Sequence, residues 1–170
     1  MKKLVLSVTM ILCVAFASNL SAQKTIVDVA VGNKDFTTLV TALKAADLVS
    51  ALQGEGPFTV FAPTNDAFAK IDAKTLSSLL EAGNKEALAN ILTYHVVSGK
   101  LAASDVVAAL KKGDGMVELK ALNGQVITVI QKDDKICLKD SNGGVSEIIA
   151  TDVMGSNGVI HVIGTVVMPK

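Results

Sequence analysis

Two residue types are missing from the chain, and several others are scarce. No arginine and no tryptophan occur among its 170 residues, and aromatic side chains make up only 4%. All 16 basic residues are therefore lysines, balanced by 16 acids for a formal net charge of zero. Reading of guanine edges and phosphates favours the forked guanidinium, so nucleic acid is excluded as a partner. Prolines number three, Pro57, Pro63 and Pro169, too few and too scattered to mark a linker. Repeats and low-complexity tracts are absent as well. What is abundant is apolar: hydrophobic residues form 50% of the chain, which excludes disorder, and the length fits one domain.

The first segment reads as an address. Met1-Lys2-Lys3 precedes an apolar run from Leu4 to Ala17, and Ser18 to Ala22 supplies a small and polar exit. That order describes a secretory signal peptide, with cleavage expected after Ala22. The alternative is a membrane anchor, but the run falls short of the roughly 20 residues that span a bilayer. Cys13 lies inside the apolar run, where a lipid-modified cysteine would not be expected. Residues 1–22 are thus expected to be removed, leaving residues 23–170 as a single domain with no membrane span. The product would be secreted, periplasmic or attached to the cell surface. Removing 22 of 170 residues leaves 148, with 14 lysines against 16 acids and Cys137 as the only thiol. An intramolecular disulfide is then ruled out, and stability rests on the core.

The hydrophobic period divides the remainder into two halves. Phe36, Leu39, Val40 and Leu43 fall at helical spacing, as do Leu76, Leu79 and Leu80 after Asp72, and Leu88, Ile91 and Leu92 after Asn84. Ser104-Asp105 reads as the start of a further helix. Beyond Gly113 the spacing is that of strands. Asn123-Gly124 between Met116–Leu122 and Gln125–Gln131 suggests a hairpin with a type I′ turn. Val126 to Ile130 is apolar on both faces, apart from Thr128, and is expected to be covered on both sides. Lys135–Lys139, Val145–Ala150 and Val159–Val167 complete the strands, with Phe58–Phe61 and Tyr94–Val97 joining from the helical half. Helices first and strands later predict an α+β domain.

Catalytic arrangements are hard to find. The chain has no nucleophile elbow and no phosphate loop. Asp140-Ser141-Asn142-Gly143 has the flavour of a calcium loop, but its glycine comes too early and Thr151 stands where the closing glutamate belongs. His95 and His161 each lie in an apolar run, without cysteine or histidine neighbours at ligand spacing. They are read as core histidines, a shared metal site being the sharper alternative. Cys137, on a strand face with Lys135 and Lys139, is either a small buried hydrophobe or a reactive thiolate. No cofactor and no enzymatic activity are expected.

Three segments taken together resemble the fasciclin domain family. Gly56-Pro57-Phe58-Thr59-Val60-Phe61-Ala62-Pro63-Thr64-Asn65-Asp66-Ala67-Phe68 is similar to its first motif, Tyr94-His95-Val96-Val97 to its central segment, and Ser156-Asn157-Gly158-Val159-Ile160-His161-Val162-Ile163, with Val166 to Pro169, to its second. The residues also have a physical reading of their own. Pro63 ends a strand anchored by Phe61, Thr64 caps a helix opened by Asn65 and Asp66 and anchored by Phe68, and Asn157-Gly158 turns the chain into a strand carrying His161.

The resemblance implies a twisted β-sandwich or wedge with several helices, acting in adhesion or protein interaction and not in catalysis. In animal matrix relatives an Asp-Ile pair before the second motif, and the tyrosine-histidine segment, are assigned to integrin recognition. The matching positions are Asp152-Val153, followed by Met154, and Tyr94-His95. Valine for isoleucine, and Ala150-Thr151 in place of Glu-Pro, argue against an integrin while leaving the surface position as a candidate. Independently, Thr151–Asn157 reads as a loop in which charged Asp152 stands beside apolar Val153 and Met154, unless those two fold inward. The expected partner is a protein or glycan at the cell surface or matrix. The alternatives are a small-ligand or metal-binding envelope protein with a pocket between helices and sheet, and a subunit of an envelope assembly.

Overall fold

A computed structural model describes residues 24–133 and 135–170. The expected signal segment, Cys13 and Asp134 lie outside the described residues. Helices come first: α1 (Ile26–Val31), α2 (Thr37–Ala45), α3 (Val49–Leu52), α4 (Asn65–Ala69), α5 (Ala73–Leu80), α6 (Lys85–Tyr94) and α7 (Ala103–Lys112). Local chemistry sets their ends. The Thr25 hydroxyl accepts from the Asp28 N–H while the Asp28 carboxylate accepts from the Thr25 N–H, a reciprocal cap for α1. Of the expected stripe, Leu39 and Leu43 in α2 and Phe36 just before it are buried and Val40 is half-buried, as are the leucines of α5. The seventh helix begins one residue before Ser104. Asp105 folds back onto the Ala102 N–H at 3.0 Å and Asp152 reaches the Ala103 N–H at 2.9 Å, so two carboxylates do the capping that Ser104 was expected to do.

Seven strands form one curved sheet in the order β2-β1-β7-β6-β5-β4-β3: β1 (Phe58–Pro63), β2 (Val96–Ser98), β3 (Met116–Lys120), β4 (Val126–Lys132), β5 (Lys135–Lys139), β6 (Val145–Gly155) and β7 (Gly158–Ile163). Strands β1 and β7 run parallel, placing Phe61 beside His161, and the other neighbours are antiparallel. Long β6 pairs with β5 through Val145–Glu147 and with β7 from Ile148 onward, with two register shifts that let it turn from one half of the sheet to the other. A bridge between Val97 and Ala121, with the Leu122 N–H on the Val96 carbonyl at 2.8 Å, brings the sheet's two edges together.

Three expectations for the strands need correction. Tyr94 closes α6 and His95 is its cap, so the strand begins at Val96; the helical stripe runs on through residues whose side chains also suit a strand. Strand β4 is covered on one face only: Ile127 and Val129 are fully buried, whereas Val126 is exposed and Ile130 half-buried. The turn after β3 is not of type I′, since of Asn123 and Gly124 only the glycine has a positive φ, 85°. A β-turn closed by the Gly124 N–H on the Ala121 carbonyl, followed by left-handed glycine, makes a three-residue connection.

Two cores result. One lies between α1–α6 and the helix-facing side of the sheet, and includes Phe36, Leu43, Phe68, Leu88, Val60 and Ile160. The other fills the inside of the curved sheet beneath α7, and includes Phe61, Tyr94, Leu110, Ile127, Leu138 and Val167. Phe61 and Phe68, seven residues apart, therefore anchor different cores. Truncating either to alanine should cost about 3–5 kcal/mol.

Candidate interaction surface

The two outer motifs lie side by side because β1 and β7 are parallel neighbours. Thr64 accepts from the Ala67 N–H and caps α4, as its position after Pro63 led one to expect. Asn65 does more than open that helix: its Oδ1 accepts from the Thr38 N–H at 3.0 Å and its Nδ2 donates to the Lys34 carbonyl at 2.9 Å, which holds the start of α2. Asp66 stands exposed in the first turn of α4, where its charge suits the helix dipole. Asn157 ties three segments, accepting from the Ile26 N–H at 3.0 Å and donating to the carbonyls of Leu52 at 2.8 Å and Gly54 at 2.9 Å. Gly158 must lack a side chain, since a Cβ there would run into the Phe58 carbonyl oxygen. The side chains of Thr64, Asn65 and Asn157 are thus engaged in holding backbone.

Tyr94, His95 and His161 are likewise turned inward. Tyr94 is fully buried, and its hydroxyl donates to the Val126 carbonyl at 3.0 Å while accepting from the Ser141 N–H at 3.2 Å. His95 Nδ1 donates to the Ile91 carbonyl at 2.8 Å, and Nε2 accepts from the Val167 N–H at 3.2 Å. Burial lowers the pKa of this imidazole from 6.5 to about 4, against the opposing effect of the Ile91 bond. His161 stacks on Phe61 with ring centroids 5.8 Å apart. Its Nε2 donates to the Leu101 carbonyl at 2.8 Å and its Nδ1 faces the Asp152 N–H at 3.4 Å. All four ring nitrogens have backbone partners, which leaves none directed at a metal. Nor can Tyr94 and His95 meet a partner through their side chains in this fold.

Thr151–Asn157 is not the loop its small and polar residues suggest. Through Gly155 it continues β6, and only Ser156 and Asn157 turn the chain. Strand β5 pairs no further than Glu147, so the distal part of β6 has β7 on one side only. Asp152 sits in the second bulge with φ 59° and uses Oδ1 on the Ala103 N–H. Val153 is half-buried against the first core, whereas Met154 is 49% exposed. The pair considered together in the sequence is therefore divided, Val153 packing inward and Met154 facing out. Ile149, Ala150 and Thr151 extend the exposed strip. Ile149 was missed, because alternation alone does not say which face of a strand is covered.

Cys137 is buried at 6% exposure, and burial, then Glu147, raises its pKa above the usual thiol value, which favours an inert thiol over a reactive one. The carboxylate of Asp140 accepts from the N–H groups of Asn142, Gly144 and Met168, so its oxygens serve a turn and the C-terminal segment instead of a cation. Between α1–α3 and the sheet lies an apolar cavity of about 20 Å³ lined by residues such as Ala30, Leu39 and Ala62, room for roughly one water-sized group.

Comparison with known proteins agrees with this architecture. The Fasciclin domain profile matches residues 34–169. Protein sll1483 of Synechocystis is 51% identical over 145 residues, covering 85% of this chain and 73% of its own. The cell surface glycolipoprotein MPB83 of Mycobacterium bovis is 34% identical, over 87% of this chain and 62% of its own length. Among solved structures, a FAS1 domain pair from the insect cell adhesion molecule Fasciclin I superposes with a TM-score of 0.56 at 17% identity, over 76% of this chain and 43% of that one.

Proposed function

The chain belongs to the fasciclin domain family, and from that premise we propose that it is an adhesion or interaction module of the cell exterior that acts by binding and not by catalysis. Its partner is a protein or glycan at the cell surface or in the matrix. Residues 1–22 are its cleaved signal, and residues 23–170 form the single domain that is secreted, held in the periplasm or displayed on the surface. The names of two matched proteins, a cell surface glycolipoprotein and a cell adhesion molecule, support the location and the role. A holder of small molecules is disfavoured by the size of the cavity between helices and sheet.

The observation that carries the site is the outward strip of β6, where the carboxylate of Asp152, in a bulge, stands two residues from exposed Met154, which β7 pairs. A few exposed anchors of this kind are enough to dominate an interface. Asp152→Asn keeps an oxygen for the Ala103 N–H and tolerates the left-handed backbone, while removing the charge. Combined with Met154→Ser, it should abolish partner capture or cell adhesion with little change in the unfolding midpoint. Unchanged adhesion by that folded variant would remove the strip from consideration.

A further inference from the structure

Residues 164–170 follow β7 and enter no helix or strand. Their first link is still of the ladder kind, the Gly164 N–H on the Glu147 carbonyl at 3.0 Å. From Thr165 onward, side chains hold the backbone instead. Ser146 Oγ donates to the Thr165 carbonyl at 2.7 Å and accepts from its N–H at 3.0 Å. His95 Nε2 takes the Val167 N–H, Asp140 takes the Met168 N–H, and Asn142 Nδ2 donates to the Met168 and Pro169 carbonyls. Gln125 closes the row on both the N–H and the carbonyl of Lys170. Five side chains from the end of α6, from β6 and from two turns thus do what a neighbouring strand would otherwise do. The buried side chains of this stretch are Val166, in the first core, and Val167, in the second.

We propose that residues 165–170 are a strap, released as a unit by acid through His95 while the sheet stays paired. No strand pairs with the strap, so its departure breaks no ladder. Of its five holders, Ser146, Asn142 and Gln125 do not titrate, and Asp140 keeps an accepting oxygen even when protonated. His95 alone reverses its role. With Nδ1–H committed to the Ile91 carbonyl, an added proton must sit on Nε2 and face the Val167 N–H. Strands β1 and β2 bring no ionisable side chain to it. Its ionisable neighbours are Tyr94, edge-on with ring centroids 6.5 Å apart, and His161, stacked on Phe61, whose N–H meets the His95 carbonyl. Asp140 stands at the next residue of the strap and Lys70 on the Gly164 carbonyl before it. None of their charges moves the imidazole's pKa; burial lowers it to about 4, and the Ile91 bond opposes. Once the strap is off, the ring meets water and regains its ordinary 6.5. The open form then binds a proton that the closed form refuses. Opening is favoured as pH falls below 6.5, by about 20-fold between pH 7 and pH 5.

Amide hydrogen exchange of the full chain tests this, with rates corrected for the pH dependence of free amides. At pH 7 the Val167 and Met168 N–H groups should exchange faster than those of Ile127 and Val129 in β4. Small additions of urea should speed only the β4 pair, because a local opening exposes little surface. From pH 7 to pH 5 the strap amides should gain about 20-fold. His95→Gln, whose side-chain carbonyl can still meet the Val167 N–H, should reduce that gain to less than about three-fold. Ser146→Ala should speed the strap at both pH values and keep the gain, since it loosens the strap without touching the titrating group. Strap amides that follow urea as β4 does would mean release only by global unfolding, and would overturn the proposal. So would a wild-type gain below about three-fold, or one that His95→Gln leaves intact. The urea and pH arms need only the wild type, whatever the variants' stability.

Discussion

Lowering the pH from 7 to 5 should destabilise the domain through one residue, His95. Its imidazole is buried with Nδ1–H on the Ile91 carbonyl and Nε2 accepting from the Val167 N–H, so a second ring proton would set N–H against N–H. The folded pKa is about 4 against 6.5 for an unperturbed histidine. Between those values the unfolded chain binds a proton that the folded chain refuses, so stability is present above pH 6.5 and lost as pH falls toward 4. At about 1.4 kcal/mol per unit the full difference is roughly 3 kcal/mol, of which about 2 kcal/mol should be gone by pH 5. Denaturant unfolding at pH 7, 6 and 5 measures it, with His95→Gln as the comparison. The variant should start less stable and lose about 2 kcal/mol less over the interval. Carboxylates and His161 are common to both proteins and cancel in the difference. Parallel loss of stability in wild type and variant would refute the assignment.

Other substitutions probe the polar ties between segments. Asn157→Ala should cost about 2–4 kcal/mol in denaturant unfolding, because it leaves the Ile26 N–H and the Leu52 and Gly54 carbonyls without their partner. Thr59 is fully buried and its hydroxyl donates to the Gly99 carbonyl at 2.6 Å while accepting from the Leu101 N–H at 2.9 Å; Thr59→Val should cost about 1–3 kcal/mol at nearly constant volume. Tyr94→Phe should cost about 1–2 kcal/mol and speed hydrogen exchange at Ser141, whose N–H loses its acceptor. Asp152→Ala should lower stability by about 1 kcal/mol or more through the lost cap of α7, whereas Asp152→Asn should be nearly neutral.

Legibility in the sequence followed the strength of the local signal. Helices α2, α5 and α6 are readable because their leucines repeat at helical spacing, and β1 ends where Pro63 and Thr64 say it must. Strand β6 is not readable past Ala150. Its two bulges break the alternation, with Thr151 and left-handed Asp152 standing unpaired in the second; the strand resumes at Val153 because β7 pairs with it there, a tertiary cause. Tyr94-His95-Val96-Val97 reads as a strand from its aromatic and β-branched members, yet the helix runs through Tyr94, whose side chain fills the second core. The exposed face of β4 is hidden from the sequence because apolar residues on both faces look alike, whether or not anything covers them.

The motifs' fold and the domain's binding draw on different residues, and the structure gives the physical reason. Asn65, Asn157, His95, His161 and Tyr94 are polar side chains whose hydrogen-bonding groups meet backbone partners within the domain. A group so engaged, and buried, must break those bonds before it can serve a partner, at about 1–3 kcal/mol for each group left unmet. Recognition through these motifs would therefore be paid against the stability of a domain that has no disulfide among its described residues to hold it. Side chains that project without such ties, such as those of Met154, Ile149 and Val126, carry no such penalty. They are also the residues least constrained by the architecture. Substituting them should change what the domain binds while leaving unfolding nearly untouched, and substituting the motif asparagines and histidines should do the reverse.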